Sequence, residues 1–193
     1  MIEPQTTGME LFLSELEYPY AADWPVHSRV VSSRHGPTIL VRPLRHGDTR
    51  AVVDVFNRLG EESRRRRFNG PKPCLGEMEL RWLAAVGTRH HALVAYVEGD
   101  PRPVGIARLV RAGSSAEIAF EVADEYQRRG IGAALTAELL GDARGAGIAE
   151  ITAVVSTDNP AAVALLRRVL SVLQIRHDGP DLSIRAPLPA PSL

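Results

Sequence analysis

Two side-chain types are almost missing from this 193-residue chain: it has one cysteine, Cys74, and one lysine, Lys72. A single cysteine excludes an intrachain disulfide, and with it the small secreted scaffolds that disulfides staple together. An excess of charge is missing too, since 23 basic residues meet 23 acidic ones. That removes the electrostatic ground for nucleic acid or an anionic membrane as a partner. No apolar run approaches the ~20 residues of a membrane span. The first residues, "MIEPQTTGMELFLSELE", lack the basic start and long apolar core of a secretory signal, so the chain reads as cytoplasmic. The basic residues are nearly all arginine, which we read as a habit of composition and not as a site.

Several chemistries drop out in the same way. His90 and His91 are adjacent in a strand pattern and face opposite sides, so no metal site is expected. Cys74 follows Pro73 in a loop, with no His or Asp arrangement to activate it as a nucleophile. The run "ESRRRRF", 62–68, is offset by Glu61 and Glu62 and has no interleaved aromatics. It reads as a solvated helix face, not as a grip for RNA or an acidic partner.

What is present divides into three stretches. Residues 1–28 form an N-terminal extension, in which Met9, Phe12, Leu13 and Leu16 fall at the spacing of a short amphipathic helix. Residues 29–187 carry the compact domain, and 188–193 a Pro-rich tail expected to be disordered. There is no internal repeat. "SRVVSSRHGPTILVRPL" reads as two strands around a turn. Asp48 can cap a helix through Leu59, and Leu80, Leu83 and Ala84 suggest another that ends at Gly87. "HHALVAYVEGDPRPVGIARLVR" reads as a hairpin, and "SAEIAFEVAD" as a further strand. A helix from Gly130 to Ala143, the strand "EITAVVS", a helix capped by Asn159 with Pro160 at its first position, and two short strands complete the order. The order predicts an α+β domain with a mixed, mostly antiparallel sheet of six to seven strands flanked by helices. One parallel strand-helix-strand unit lies at 116–155.

The stretch "QRRGIG", Gln127 to Gly132, opens that unit's helix. A helix N-terminus presents unpaired N–H groups and roughly half a unit of positive charge. Glycines there let an anion reach the main chain, and phosphate is the usual guest. A P-loop would need Lys-Ser or Lys-Thr after its second glycine, where Ala133-Ala134 stand. A dinucleotide fold would need its first glycine directly after the strand and an acid ending the next strand, but Glu150 precedes that strand. A tight turn with no ligand is the plain alternative.

"QRRGIG", with Val122 five residues before Gln127, resembles the pyrophosphate-binding motif of the GNAT superfamily of N-acetyltransferases. The order of elements over 37–187 and "STDNPAAVALL" resemble that family as well. The resemblance implies acetyl-CoA as cosubstrate, with no metal, and main-chain N–H groups of Arg128, Arg129, Gly130, Ile131, Gly132 and Ala133 on its pyrophosphate. It places the pantetheine arm beside Phe120, Glu121 and Val122, between strands that splay apart at 116–123 and 150–155. It implies a cofactor contact for Asn159, which also reads as a mere helix cap. The acceptor would be a primary amine, a protein lysine or a small molecule, and the transfer direct in a ternary complex. A homodimer is an assembly open to such a domain.

A free lysine amine, with pKa about 10.4, must lose a proton before it attacks, so a base is useful near pH 7. Period two puts Glu117, Ala119 and Glu121 on one strand face. "AEIAF" resembles the strand of lysine acetyltransferases in the superfamily, which makes Glu117 the expected base and Glu121 its reserve. An ion pair of Glu117 with Arg108 or Arg111 is the competing reading. "EESRRRRFNGPKP" resembles the early segment of bacterial Pat-type protein lysine acetyltransferases, although residues 1–28 are too few for the regulatory domain those enzymes often carry. Two departures stand out. Leu166 occupies the position where many members place a tyrosine as general acid, and "RRVLSVL" replaces a frequent Gly-Phe. They leave open a non-catalytic acyl-CoA-binding module.

Overall fold

The computed structural model of the chain describes residues 24–32 and 36–190. The helix expected at 9–16 and residues 191–193 of the expected tail lie outside the described residues, but Leu188, read as part of that tail, is buried in the core and donates its N–H to the Ala149 carbonyl at 2.8 Å. The strands are β1 (Arg29–Ser32), β2 (Thr38–Pro43), β3 (His90–Val97), β4 (Gly105–Ala112), β5 (Ser115–Val122), β6 (Glu150–Ser156), β7 (Gln174–Asp178) and β8 (Asp181–Pro187). The helices are α1 (Thr49–Asn57), α2 (Glu61–Phe68), α3 (Glu77–Ala84), α4 (Ile131–Gly145) and α5 (Pro160–Val169). All eight strands join one sheet in the order β1-β2-β3-β4-β5-β6-β8-β7. The count exceeds the expected six to seven because the first and last hairpins both add to the same sheet. Among the described residues only β5 and β6 run parallel.

Alternation along the strands builds a core on each face. Ile39, Val41, Leu93, Ala95, Ala107 and Leu109 join the core that α4 covers with Ile131, Leu135, Leu139 and Leu140. On the other face Ala92, Val94 and Ile106 pack with Val52 and Val55 of α1 and Leu83 of α3. Asp48 caps α1 by accepting from Ala51 N–H at 3.1 Å, as its position predicts. Helix α3 stops at Ala84, a turn short of Gly87. The loop between α2 and α3 is fastened by Lys72, whose Nζ lies 2.5 Å from Glu79 and 5.6 Å from the Phe68 ring centroid.

The adjacent histidines do face opposite sides. His90 stacks on Trp82 and bonds through Nδ1 to the Ala85 carbonyl at 3.2 Å. Burial, reinforced by the Arg108 charge, pulls its pKa down to about 4. His91 stacks on Trp24 and lies 2.8 Å from the Asp142 carboxylate, which also accepts two bonds from Arg29 at 2.7 and 2.8 Å. No cluster of metal-ligating side chains occurs among the described residues, and no described helix is long and apolar enough to cross a membrane.

Candidate active site

Strands β5 and β6 are paired only at Ser115–Glu150, Ala116–Ile151 and Glu117–Thr152. Beyond Glu117 they part, although β5 stays paired with β4 to Val122 and β6 with β8 to Ser156. The middle of the sheet therefore holds an open strand edge. Its main-chain groups need a partner, which an extended ligand can supply by adding as a strand. A cleft of about 500 Å³ fills the gap, walled by β5, β6, α5 and the start of α4, with α2 across it.

The cleft ends on the turn between β5 and α4. Arg128 has φ 60° and Gly130 φ 78°, and both line the cleft. Left-handed residues two positions apart turn successive N–H groups to one side, a concavity that cradles anions. Ala134 N–H bonds back to the Gly130 carbonyl at 3.0 Å, so the first-turn N–H groups before it have no acceptor within the helix. Gln127 braces the turn, with Nε2 3.0 Å from the Val122 carbonyl, 3.0 Å from Asp124 and 3.2 Å from Ser63. A Cβ on Gly132 would lie 3.0 Å from Leu165 Cδ1 and 3.4 Å from Val122 Cγ2. A side chain there would press on Leu165 of α5 and Val122 of β5, which glycine lets α4 approach closely.

Of the residues expected at the site, Glu117, Phe120, Glu121, Val122, Gln127, Arg128, Gly130, Gly132, Ala133 and Asn159 line the cleft. Arg129 and Ile131 do not. The Arg129 guanidinium sits over Tyr126, 5.3 Å from the ring centroid, and the Ile131 side chain is buried in the core. Their main-chain N–H groups lie on the turn that forms the anion site. Asn159 caps α5 by accepting from Ala162 N–H at 3.1 Å and lines the cleft as well, so both of its readings stand together.

The two glutamates differ in circumstance. Glu117 is exposed on the cleft wall at the point where β5 leaves β6, and no described residue pairs with its carboxylate. Glu121 is buried and ion-paired with Arg67 of α2 and Arg108 of β4. Burial alone would push its pKa up, but the two guanidinium groups outweigh it and hold the carboxyl below its usual range. The ion pair that was the competing reading of Glu117 is made by Glu121 instead, since Arg108 lies opposite Ala119 and turns to 3.2 Å from Glu121. Glu121 is occupied and is not available as a reserve base.

Leu166 is fully buried in the core. Leu165, one residue earlier, faces the cleft with Ala161, Ala164 and Arg168, and no tyrosine is among the described residues that line it. Sequence reasoning missed the wall supplied by Leu59, Ser63, Arg66, Arg67 and Asn69. The run read as a solvated face turns Arg66 and Arg67 into the cleft. The usable signal was Glu121, a carboxylate on a central strand that needed a cation.

A profile of the Acetyltransferase (GNAT) family matches residues 56–171. The chain is 34% identical over 152 residues to Acetyltransferase Pat of Mycolicibacterium smegmatis, which covers 77% of the chain and 45% of Pat. It is 33% identical over 137 residues to an acetyltransferase of Pseudomonas aeruginosa, covering 68% of the chain and 74% of that protein. The chain thus spans less than half of the Mycolicibacterium relative. The crystal structure of the GNAT domain of S. lividans PAT superposes with a TM-score of 0.76 at 25% identity, over 89% of this chain and all of that one. With the splayed strands and the glycine turn, these matches give the family: the chain belongs to the GNAT acetyltransferases.

Proposed function

We propose that the chain moves an acetyl group from acetyl-CoA to a primary amine by direct transfer in a ternary complex. One observation carries this: the open edge of β5 runs from an unpaired carboxylate, Glu117, to an anion-binding turn at 128–133. The residues present suit the cosubstrate. The turn's N–H groups and the Arg128 guanidinium suit its pyrophosphate, and Arg66 and Arg168 add positive charge to the same cleft. The edge at Phe120–Val122 suits the amides of the pantetheine arm. Acetyl-CoA supplies the acetyl group as a thioester.

Glu117 takes the proton of the incoming ammonium and passes it to solvent, to which it is open. The neutral nitrogen forms the new C–N bond as the C–S bond breaks. The nitrogen's second proton goes to the departing sulfur. A thiol has a pKa of only about 8.5, so thiolate can leave without the tyrosine that Leu166 replaces. A protein lysine is the favoured acceptor class, because the "AEIAF" setting of Glu117 resembles that of lysine acetyltransferases. A non-catalytic acyl-CoA-binding module is the second reading, favoured by the absence of a tyrosine among the described cleft residues.

Calorimetry with CoA tests the site. Wild-type protein should bind, and Ala133→Glu should weaken binding about 100-fold or more by placing a like charge at the phosphate position. Ala133 is a cleaner target than Gly132, where any Cβ also meets Leu165. No binding by wild type removes the proposal. Thiol release across a panel of peptides and small amines separates enzyme from module and names the acceptor class. Binding without release leaves the module.

A further inference from the structure

We propose that Glu121 is a positioning residue: it seats Arg67 and through it holds α2 as a cover across the cleft. The observation behind this is how α2 is attached. Its sequence "EESRRRRF" has one apolar residue, and none of its eight residues is fully buried. Phe68, at its C-terminal end, meets the Phe56 ring edge-on at 5.7 Å. Such a helix has no apolar stripe to dock and is too short to persist alone. Polar tethers hold the rest.

The tethers reach three segments of the cleft. At the start of α2, Gly60 N–H donates to Asp124 Oδ2 at 3.1 Å and Ser63 Oγ accepts from Gln127 at 3.2 Å, both on the β5–α4 turn. Arg65 pairs with Asp158 on the β6–α5 connection. Arg67 pairs with Glu121 on β5. The helix thus bridges the two sides of the gap that β5 and β6 leave open. Close approach is built in, because a Cβ on Gly60 would lie 2.6 Å from Asp124 Oδ2.

The tethers are unequal. The side chains of Arg65 and Asp158 are 38% and 45% exposed, so water and salt screen that pair. Arg67 and Glu121 are 16% and 7% exposed, which makes theirs the dry and dominant one. Glu121 is itself oriented from behind by Arg108, which also donates to the Leu83 carbonyl of α3 at 2.9 Å. The relay runs from α3 through Arg108 and Glu121 to Arg67. A cover held this way can lift with little loss of apolar burial, as the exchange of a bound ligand requires. What lies beneath it rests on the acetyl-CoA reading; the cover itself does not.

Hydrogen exchange on the ligand-free full chain is the test, with wild type, Arg67→Met and Arg67→Lys. Removing Arg67 leaves Glu121 its second partner, so the fold should persist. Amides at 61–68 should exchange about tenfold faster in Arg67→Met, with α4 unchanged, and Arg67→Lys should recover most of the protection. The KM for acyl-CoA should rise in Arg67→Met while kcat does not fall. Equal exchange at 61–68 in wild type and Arg67→Met overturns the proposal. So does equal acceleration in α4, which means general loosening. Should Arg67→Met not fold, Arg67→Gln, which removes the charge and keeps a hydrogen-bonding group, must still speed exchange at 61–68, and no change there is equally fatal. If wild type does not bind CoA, the functional proposal falls while the exchange data still decide the cover.

Discussion

Glu117 and Glu121 share a strand face four positions apart, and their neighbours give them different work. Glu117→Gln should keep the fold and CoA affinity, since the amide is nearly isosteric, and lower the rate by roughly 10²–10⁴-fold near neutral pH. The deficit should shrink as pH rises, because more of the amine is then already neutral. Single-turnover rates across pH check this, and a deficit that does not vary with pH would deny Glu117 the role of base. The face shared by the two acids was legible, because period two is a local property of the strand. Which acid would be paired was not. Arg67 lies 54 positions from Glu121, and nothing local says that the chain returns there.

At the scale of elements, the legible features were those set by neighbours in sequence. Asp48 and Asn159 cap their helices, and the glycine turn opens α4. The part played by α2 was not legible, because a charged run looks the same whether it faces water or a cleft. Contacts between elements also carry a pH dependence. His90 joins β3 to α3, and its folded pKa of about 4 lies below the unfolded value of 6.5. Between those values the unfolded chain binds more protons, so the stability His90 contributes is complete above about pH 6.5 and declines toward pH 4, by about 3 kcal/mol at most. Tm should therefore fall between pH 7 and pH 5. In His90→Phe, which can keep the stacking on Trp82 but takes no proton, that fall should be smaller. An identical fall would assign the effect to other groups.

The whole molecule depends on a second buried charge cluster, far from the cleft in function. Asp142 of α4 joins Arg29 of the edge strand β1 to His91 of β3, and Trp24 stacks on His91. Asp142→Ala strands both partners, with an expected cost of about 3–5 kcal/mol in denaturant unfolding. Glu138 also pairs with Arg29 but is 27% exposed, and Glu138→Ala should cost under ~1 kcal/mol. Equal costs would show that the cluster is not what holds β1. The mixed, mostly antiparallel sheet and its parallel unit were legible from the order of elements. This cluster was not, because Arg29, His91 and Asp142 meet only once the sheet and α4 have assembled.

The scarcity of lysine takes on a meaning beside the proposed acceptor. A catalyst that acylates amines is exposed to its own side chains at the highest local concentration of any competitor. Here Lys72 is the only side-chain amine in the chain, and its Nζ is engaged by Glu79 at 2.5 Å. Arginine carries the remaining positive charge through guanidinium groups, which stay protonated and are poor nucleophiles. With the proposed activity, the chain would offer itself a single side-chain acceptor, Lys72.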